Sequence, residues 1–176
     1  MKYKEAVKIS MDEFAKDEKA LFVGYNTRLG SKAMGTLNDV AEEKLLETQL
    51  AENLMAGLAI GLSLTGYKPM VYFERFDFIL NAIDAIVNHL DKIADTSDGQ
   101  FKPKVIIRVV IGAQLKPFFT GHCHIQDFTE AMKKLLKFPV LKPLTAPEVL
   151  EAYKFAMTQD QSVMIIETRD LYDEEF

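Results

Sequence analysis

The feature that most constrains the fold is an alternation of short apolar segments with longer amphipathic ones. Five segments are short and rich in apolar residues, at 20–25, 69–73, 104–110, 139–143 and 162–168. Strands that are apolar without a break are buried on both faces, as in parallel sheets covered by helices. The pattern therefore predicts an α/β fold, a doubly wound and mostly parallel sheet with helices on both faces.

The stretches between these strands carry apolar residues at helical spacing. Helices are predicted over 4–16, 50–64, 76–93, 125–136 and 147–157. Loops are predicted over 26–44, a long polar segment with two glycines, and over 112–122. Loops as long as the first are usually functional or are ordered by a partner. Ligands of such folds bind at the carboxyl ends of the strands, so we expect a site after Tyr25, Phe73 and Val110.

Length, charge and the apolar profile narrow the class of protein. The 176 residues suit one domain, 1–176, and a net charge of -5 does not fit a nucleic-acid-binding surface. The longest apolar stretch, 54–64, is too short to cross a bilayer core of roughly 30 Å. The N-terminus lacks the apolar run of a signal peptide. The single cysteine, Cys123, cannot form an intrachain disulfide. We therefore expect a cytoplasmic protein without nucleic-acid or membrane partners.

Common nucleotide and metal motifs are missing from the sequence. No GxGxxG follows the first strand, and no GxxxxGK[ST] occurs, so neither a dinucleotide site nor a P-loop is expected. The GHCH stretch at 121–124 offers two histidines and a cysteine. His89 is the only other histidine, however, and a structural zinc needs about four ligands. A Cys-His nucleophile pair lacks a third orienting group. We predict no metal site.

Glu52 stands at the head of a helix that is built mainly from Ala, Gly, Leu and Ser. The ordinary interpretation is an acid in the first turn, which the helix dipole stabilises, and composition alone favours it. However, Gly57 and Gly61 lie one turn apart and permit close approach of another backbone. This helix is therefore expected to pack tightly, against its own domain or another chain, with the Glu52 carboxylate near that interface.

Three phenylalanines, Phe73, Phe76 and Phe78, cluster at the end of a predicted strand. Core packing is the ordinary role of such residues. A flat ring at the carboxyl end of a strand can instead stack on a heteroaromatic ligand. The sequence alone leaves both interpretations open for each ring.

Taken in order, these stretches resemble a known family. ETQLAENLMAGLAIGLSLTGYKPMVYF, FDFILNAIDAIVNH, GQFKPKVIIR and GHCHIQDF follow one another as in the β subunits of thiamine-diphosphate-dependent 2-oxo acid dehydrogenases, within their N-terminal pyrimidine-binding domain. Transketolase and deoxyxylulose-phosphate synthase share that domain more distantly. The matching stretches cover nearly the whole chain. The combination of LAEN, GLAIG, GYKP, FDF and AIDAIVNH is specific, whereas GHCH alone is not.

The resemblance implies roles for three residues. Glu52 falls on the family's glutamate, which binds the N1′ atom of the cofactor's aminopyrimidine and favours its imino tautomer. Phe78 falls on the aromatic residue that stacks on that ring. His124 falls on the active-site histidine, which stabilises or protonates the substrate-derived intermediate. The cofactor implied is thiamine diphosphate, which acts as nucleophile and electron sink. His122 has no family counterpart with a clear role.

Several features depart from the family pattern. The chain ends at Phe176, where family members continue into a C-terminal domain, and it lacks the GDG…N motif that binds the diphosphate. The resemblance therefore implies that Mg²⁺ and the diphosphate are held by a partner, a diphosphate-binding α-type subunit, in an α2β2 heterotetramer. The glycine-rich loop after the third strand is replaced by VVIGAQLKPFF, and Leu80 stands where bacterial members often have Tyr. These last two changes affect which substrate is expected and leave the residues implied for the cofactor intact.

The implied function is that of the pyrimidine-binding subunit of a split enzyme, which decarboxylates a 2-oxo acid and transfers the acyl unit. A first alternative is transketolase-type ketol transfer on sugar phosphates, which needs basic residues near the site. Arg28, Arg75 and Lys116 are candidates for that role. A second alternative is a catalytically silent paralogue that scaffolds a partner. A third is an α/β domain that binds a small molecule without catalysis.

Overall fold

A central six-stranded sheet organises the computed structural model, which describes residues 1–116 and 121–176. The strands are β1 Ala20–Gly24, β2 Leu45–Glu47, β3 Lys68–Phe73, β4 Ile106–Ile111, β5 Val140–Leu141 and β6 Val163–Thr168. Their order is β2-β1-β3-β4-β6-β5, and neighbouring strands pair in parallel. The predicted α/β class with a parallel sheet is confirmed.

Helices cover both faces of this sheet. The five α-helices are α1 Tyr3–Phe14, α2 Glu52–Leu64, α3 Ile93–Thr96, α4 Thr129–Leu135 and α5 Ala146–Thr158. Along β3, Met70 and Tyr72 join the core cluster under α1 and α5, whereas Val71 and Phe73 join the cluster under α2 and α4. Because successive side chains of a strand point to opposite faces, both faces are apolar and the strands are apolar throughout.

Two predicted helices differ in the structure. Residues 76–93 do not form one α-helix, because a 3-10 segment, Phe76–Ala82, is followed by a π-helical segment, Asp84–Leu90, and by α3. Apolar spacing indicates a helical segment, but it does not distinguish these bonding patterns. The helix predicted from residue 125 begins only at Thr129, whose backbone N–H and hydroxyl both donate to the Asp127 carboxylate. That local turn starts the helix later than predicted.

The segment 26–44 is a loop, as predicted, with one 3-10 turn at Glu42–Lys44, and contacts within the chain order it. Ala33, Leu37 and Val40 are buried in the core under α1. Thr36 is buried and accepts a hydrogen bond of 2.8 Å from Nη1 of Arg108. Strand β2 follows this segment and was not predicted, since it is three residues long and only its first residue is buried. The predicted loop over 112–122 lies partly outside the described residues, which exclude 117–120.

A buried ion pair crosses from β4 to β6. Nε and Nη2 of Arg108 donate to Oε1 and Oε2 of Glu167 at 2.8 and 3.0 Å, and both side chains are at most 1% exposed. The hydroxyl groups of Tyr153 and Tyr172 donate to the same carboxylate. The four groups satisfy one another, as buried charges must. They join β4, β6, α5 and the residues after β6.

No helix within residues 1–116 and 121–176 is long and apolar enough to cross a bilayer.

Candidate functional site

The three residues predicted to form a site, Glu52, Phe78 and His124, line one cleft of about 330 Å³. Glu52 is the first residue of α2, and Phe78 lies in the 3-10 segment that follows β3. His124 follows a short helical turn beyond the end of β4. Because parallel strands end at the same edge of the sheet, residues distant in sequence meet there. Tyr25, at the end of β1, lines the same cleft, as expected.

The Glu52 side chain is nearly buried, at 8% exposure. Its Oε2 accepts one hydrogen bond, from Nδ2 of Asn81 at 3.3 Å. Within the described part of the chain no other group donates to this carboxylate, which leaves Oε1 available to a ligand in the cleft. The first turn of α2 contributes a partial positive charge that favours an anion at this position. Asn81 was not predicted, although it lies only three residues after Phe78.

The phenylalanines fall into two groups. Phe76 is fully buried and packs edge-to-face on Phe128, with ring centroids 5.6 Å apart. Phe73 lines the cleft but is only 1% exposed, so core packing accounts for both rings. Phe78 is half-buried and meets the imidazole of His124 edge-to-face, at a centroid distance of 5.2 Å. Of the three rings, Phe78 is the one that can offer a face to a ligand.

The segment that carries His124 lies directly against the end of β4. A Cβ atom at Gly112 would stand 1.8 Å from the backbone oxygen of His124, so only glycine permits this approach. His122 and Cys123 are exposed and do not line the cleft. Among the described residues, no group of three or more His, Cys, Asp or Glu side chains could hold a metal ion. Gly112 was not among the residues predicted to form the site. A glycine directly after a buried strand is the sequence signal that could have indicated this close approach.

A second cleft of about 430 Å³ adjoins the first and shares Arg75 and His124 with it. Its other charged residues are Lys116, Arg169, Asp170, Asp173 and Glu174. Arg169 and Asp173 form an ion pair at 3.4 Å. The structure thus places two of the three predicted basic residues, Arg75 and Lys116, beside His124. The third, Arg28, is exposed, pairs with Glu42 at 3.1 Å and lines neither cleft.

Two further carboxylates hold the turn that follows Tyr25. Glu47 accepts the backbone N–H groups of Asn26, Arg28 and Leu29 at 2.7–3.1 Å. Burial acts to raise the pKa of Glu47, but these N–H donors outweigh it, so the pKa lies below its usual value. Glu74, which lines the cleft, accepts from the side chains of Asn26 and Ser31. Glu47 therefore holds the backbone of this turn, and Glu74 holds the side chains of Asn26 and Ser31.

The outer face of α2 beside the cleft is apolar and open. Leu54 and Leu64 are 57% and 42% exposed, and a Cβ atom at Gly57 or Gly61 would have no atom within 4 Å. In the described part of the chain, the two glycines therefore pack against no other element. The close approach expected from their spacing is not made by any residue within 1–116 and 121–176.

Known proteins share this architecture. Residues 1–174 match the family described as transketolase, pyrimidine binding domain. The β subunit of the pyruvate dehydrogenase E1 component from Saccharomyces cerevisiae mitochondria is 30% identical, over 100% of this chain and 49% of the yeast protein. The corresponding subunit from Rickettsia conorii is 28% identical, over 98% of this chain and 54% of that protein. The chain thus spans about half the length of these relatives.

A solved structure described as a split-gene transketolase, an inactive β4 tetramer, superposes with a TM-score of 0.73 at 20% identity. The match covers 95% of this chain and 51% of that one. At this identity the superposition shows a shared fold, and the family match shows membership. The chain therefore belongs to the transketolase pyrimidine-binding domain family.

Proposed function

We propose that this chain is the pyrimidine-binding subunit of a split thiamine-diphosphate-dependent enzyme. The observation that supports it best is that Glu52, Phe78 and His124 line one cleft although they lie on three different segments. The family resemblance assigned these residues to one active site. The proposed reaction is decarboxylation of a 2-oxo acid, followed by transfer of the acyl unit.

The cleft has the features that the aminopyrimidine half of the cofactor requires. A nearly buried carboxylate, Glu52, has an oxygen to which no described residue donates, and a half-buried ring, Phe78, lines the same cleft. When bound, thiamine diphosphate would supply a nucleophilic thiazolium carbon and a ring that accepts the electron pair released when the substrate loses CO₂. Glu52 would hold a proton at N1′, and Phe78 would cover the face of the pyrimidine and exclude water.

His124 is the proton donor or hydrogen-bond donor toward the substrate. His124 lines both the cleft that contains Glu52 and the adjoining cleft. A histidine at this junction can reach a substrate that reacts with a cofactor held by Glu52 and Phe78. General acid–base assistance of this kind contributes about 10²–10⁴-fold in rate.

The Mg²⁺-diphosphate half of the cofactor needs residues outside 1–176, because this stretch has no match to the GDG…N motif. We propose a diphosphate-binding α-type subunit and an α2β2 assembly. Two observations support a partner: the relatives are named as subunits, and α2 leaves an open, glycine-containing apolar face beside the cleft. The compartment predicted for this assembly is the cytoplasm.

Transketolase-type ketol transfer on sugar phosphates is the second candidate. The placement of Arg75, Lys116 and Arg169 around the adjoining cleft favours it, because a phosphate group needs such donors. Asp170, Asp173 and Glu174 line the same cleft and balance the formal charge of these three side chains. This balance is why the 2-oxo acid reaction stays the first choice.

The test is a calorimetric titration of thiamine diphosphate and Mg²⁺ into this chain, into a co-purified chain with a diphosphate-binding domain, and into the pair. Binding by the pair alone supports the split site, and 2-oxo acid and sugar-phosphate screening then separates the two reactions. Binding without turnover of either substrate class points to the silent scaffold. Absence of binding by the pair overturns the proposal and leaves a non-catalytic α/β domain.

A further inference from the structure

Asp77 and Gln126 connect the two segments that carry Phe78 and His124. Nε2 of Gln126 donates to Oδ1 of Asp77 at 2.8 Å, and the backbone N–H of Gln126 donates to Oδ2 at 3.3 Å. Asp77 is 9% exposed and precedes Phe78, and Gln126 is the second residue after His124. Neither lines the cleft. The contact is therefore placed to affect the two rings without touching a ligand.

This contact is the middle one of three successive contacts between the same segments. Phe76 packs edge-to-face on Phe128 in the core, at 5.6 Å. Asp77 accepts from Gln126, and Phe78 packs edge-to-face on His124 at the cleft, at 5.2 Å. Each advance of one residue from Phe76 to Phe78 is thus matched by a return of two residues from Phe128 to His124. The three contacts extend from Phe76, which is fully buried, to Phe78 and His124, which line the cleft.

A carboxylate buried at this depth costs free energy unless it is hydrogen-bonded. The two Gln126 donors are the only hydrogen-bond partners of the Asp77 carboxylate within residues 1–116 and 121–176. Both oxygens are engaged, one by a side chain and one by the backbone, so the bidentate contact restrains translation and rotation of one segment against the other. A single edge-to-face ring contact is much less restrictive, since it is worth about 0.5–1.5 kcal/mol.

We infer that Asp77 and Gln126 are positioning residues that set the geometry of Phe78 against His124, and thereby present His124 to the substrate. The catalytic part of this inference rests on the proposed function. The geometric part does not, because it concerns two rings of this chain alone.

The first experiment measures the ring-current shift that Phe78 imposes on the His124 imidazole protons by NMR of the full chain. The shift is defined as the difference between wild type and Phe78→Leu, and His89 serves as an internal reference. Asp77→Ala is expected to remove most of this shift. Gln126→Ala keeps its backbone donor and is expected to remove less. The double variant is expected to match Asp77→Ala, because both changes break one contact.

Lys142→Met is the matched control. It breaks the Lys142–Asp127 ion pair of 2.7 Å, which lies next to Gln126 on the same segment, and leaves the Asp77 contact intact. We expect a wild-type shift in this variant. A wild-type shift in Asp77→Ala, or an equal loss in Lys142→Met, overturns the inference. Asp77→Asn retains one acceptor oxygen in the same volume, so its ring-current shift is expected to lie between those of wild type and Asp77→Ala. This variant keeps the inference testable if Asp77→Ala does not fold.

The second experiment uses the assembled enzyme. Asp77→Ala is expected to lower kcat and to leave the calorimetric Kd of thiamine diphosphate unchanged, because Glu52 and Phe78 remain on their own elements. Unchanged kcat in Asp77→Ala, with activity lost in Glu52→Gln, overturns the positioning role alone. Unchanged activity in Glu52→Gln overturns the proposed function instead.

Discussion

The ring of Phe78 stands edge-to-face against the imidazole of His124, with centroids 5.2 Å apart and planes at 85°. The two residues belong to segments that follow different parallel strands, β3 and β4. Both residues line the same cleft as Glu52. A flat ligand in the cleft therefore meets a carboxylate, an aromatic ring and an imidazole within one small volume.

Glu52→Gln is expected to lower the activity of the assembled enzyme by about 10²–10⁴-fold, because the amide cannot exchange a proton with the cofactor ring. Assembly should be unchanged by size-exclusion chromatography. Glu74→Gln is the matched control, since it lines the same cleft but its carboxylate is held by Asn26 and Ser31. Equal activity of the two variants would contradict the role given to Glu52.

Gly112→Ala should displace the segment that carries His124. The added Cβ would lie 1.8 Å from the His124 backbone oxygen, which no rotation of a side chain can relieve. The expected cost is about 1–3 kcal/mol in the free energy of unfolding, as for other overpacked sites. Urea unfolding measures the cost, and the His124 ring-current shift measures the displacement. A variant with wild-type stability and a wild-type shift would show that the close approach is absent.

Gly57→Ala and Gly61→Ala should act oppositely on the isolated chain and on the assembly. Each lies inside α2 with open space around its Cα, so alanine should raise the free energy of unfolding by about 0.5–1 kcal/mol. In the proposed assembly the added methyl groups prevent close approach of the partner. Thermal unfolding and co-purification measure the two effects. Stabilised variants that still assemble normally would place the partner elsewhere.

The buried pair Arg108–Glu167 should be the most sensitive polar contact in the core. Glu167→Gln leaves the Arg108 guanidinium buried without a counter-charge, and the expected loss is about 3–5 kcal/mol in the free energy of unfolding. Arg28→Met breaks the exposed pair with Glu42 and should cause no measurable loss. Chemical denaturation of both variants makes the comparison. Similar small losses would show that the core pair is solvated.

The turn after Tyr25 should loosen in acid because of Glu47. Its pKa is lowered in the folded chain, since backbone N–H groups outweigh the effect of burial. The unfolded chain therefore takes up this proton at a higher pH than the folded chain does. The stabilisation is complete above the usual glutamate pKa and is lost as the pH falls through the lowered value.

Urea unfolding at a series of acidic pH values tests this prediction. The slope of stability against pH should be smaller in Glu47→Gln than in wild type. Glu43→Gln, an exposed acid in the neighbouring segment, removes the same charge without these hydrogen bonds. Identical slopes for wild type and Glu47→Gln would exclude Glu47 as the acid-sensitive group.

Much of this protein was determined by local sequence. Continuous apolar segments predict buried strands whatever their order in the sheet, and five of the six strands were placed in this way. The motif order around Glu52, Phe78 and His124 indicated the family. These signals are readable because burial on both faces and the chemistry of a site constrain residue types directly.

Other features were decided only by tertiary structure. The three-residue strand β2 exists because β1 supplies its partners, and the segment 26–44 is ordered because Arg108, far along the chain, donates to Thr36. Phe73, Phe76 and Phe78 are the same residue type within six positions, yet only Phe78 reaches the cleft half-buried. Which ring does so depends on the path of the 3-10 segment and on the contacts of Phe76 and Asp77 with residues 126–128. Contacts between residues so far apart in sequence produce no periodic pattern of residue types, so they are determined by tertiary packing and cannot be predicted from local sequence.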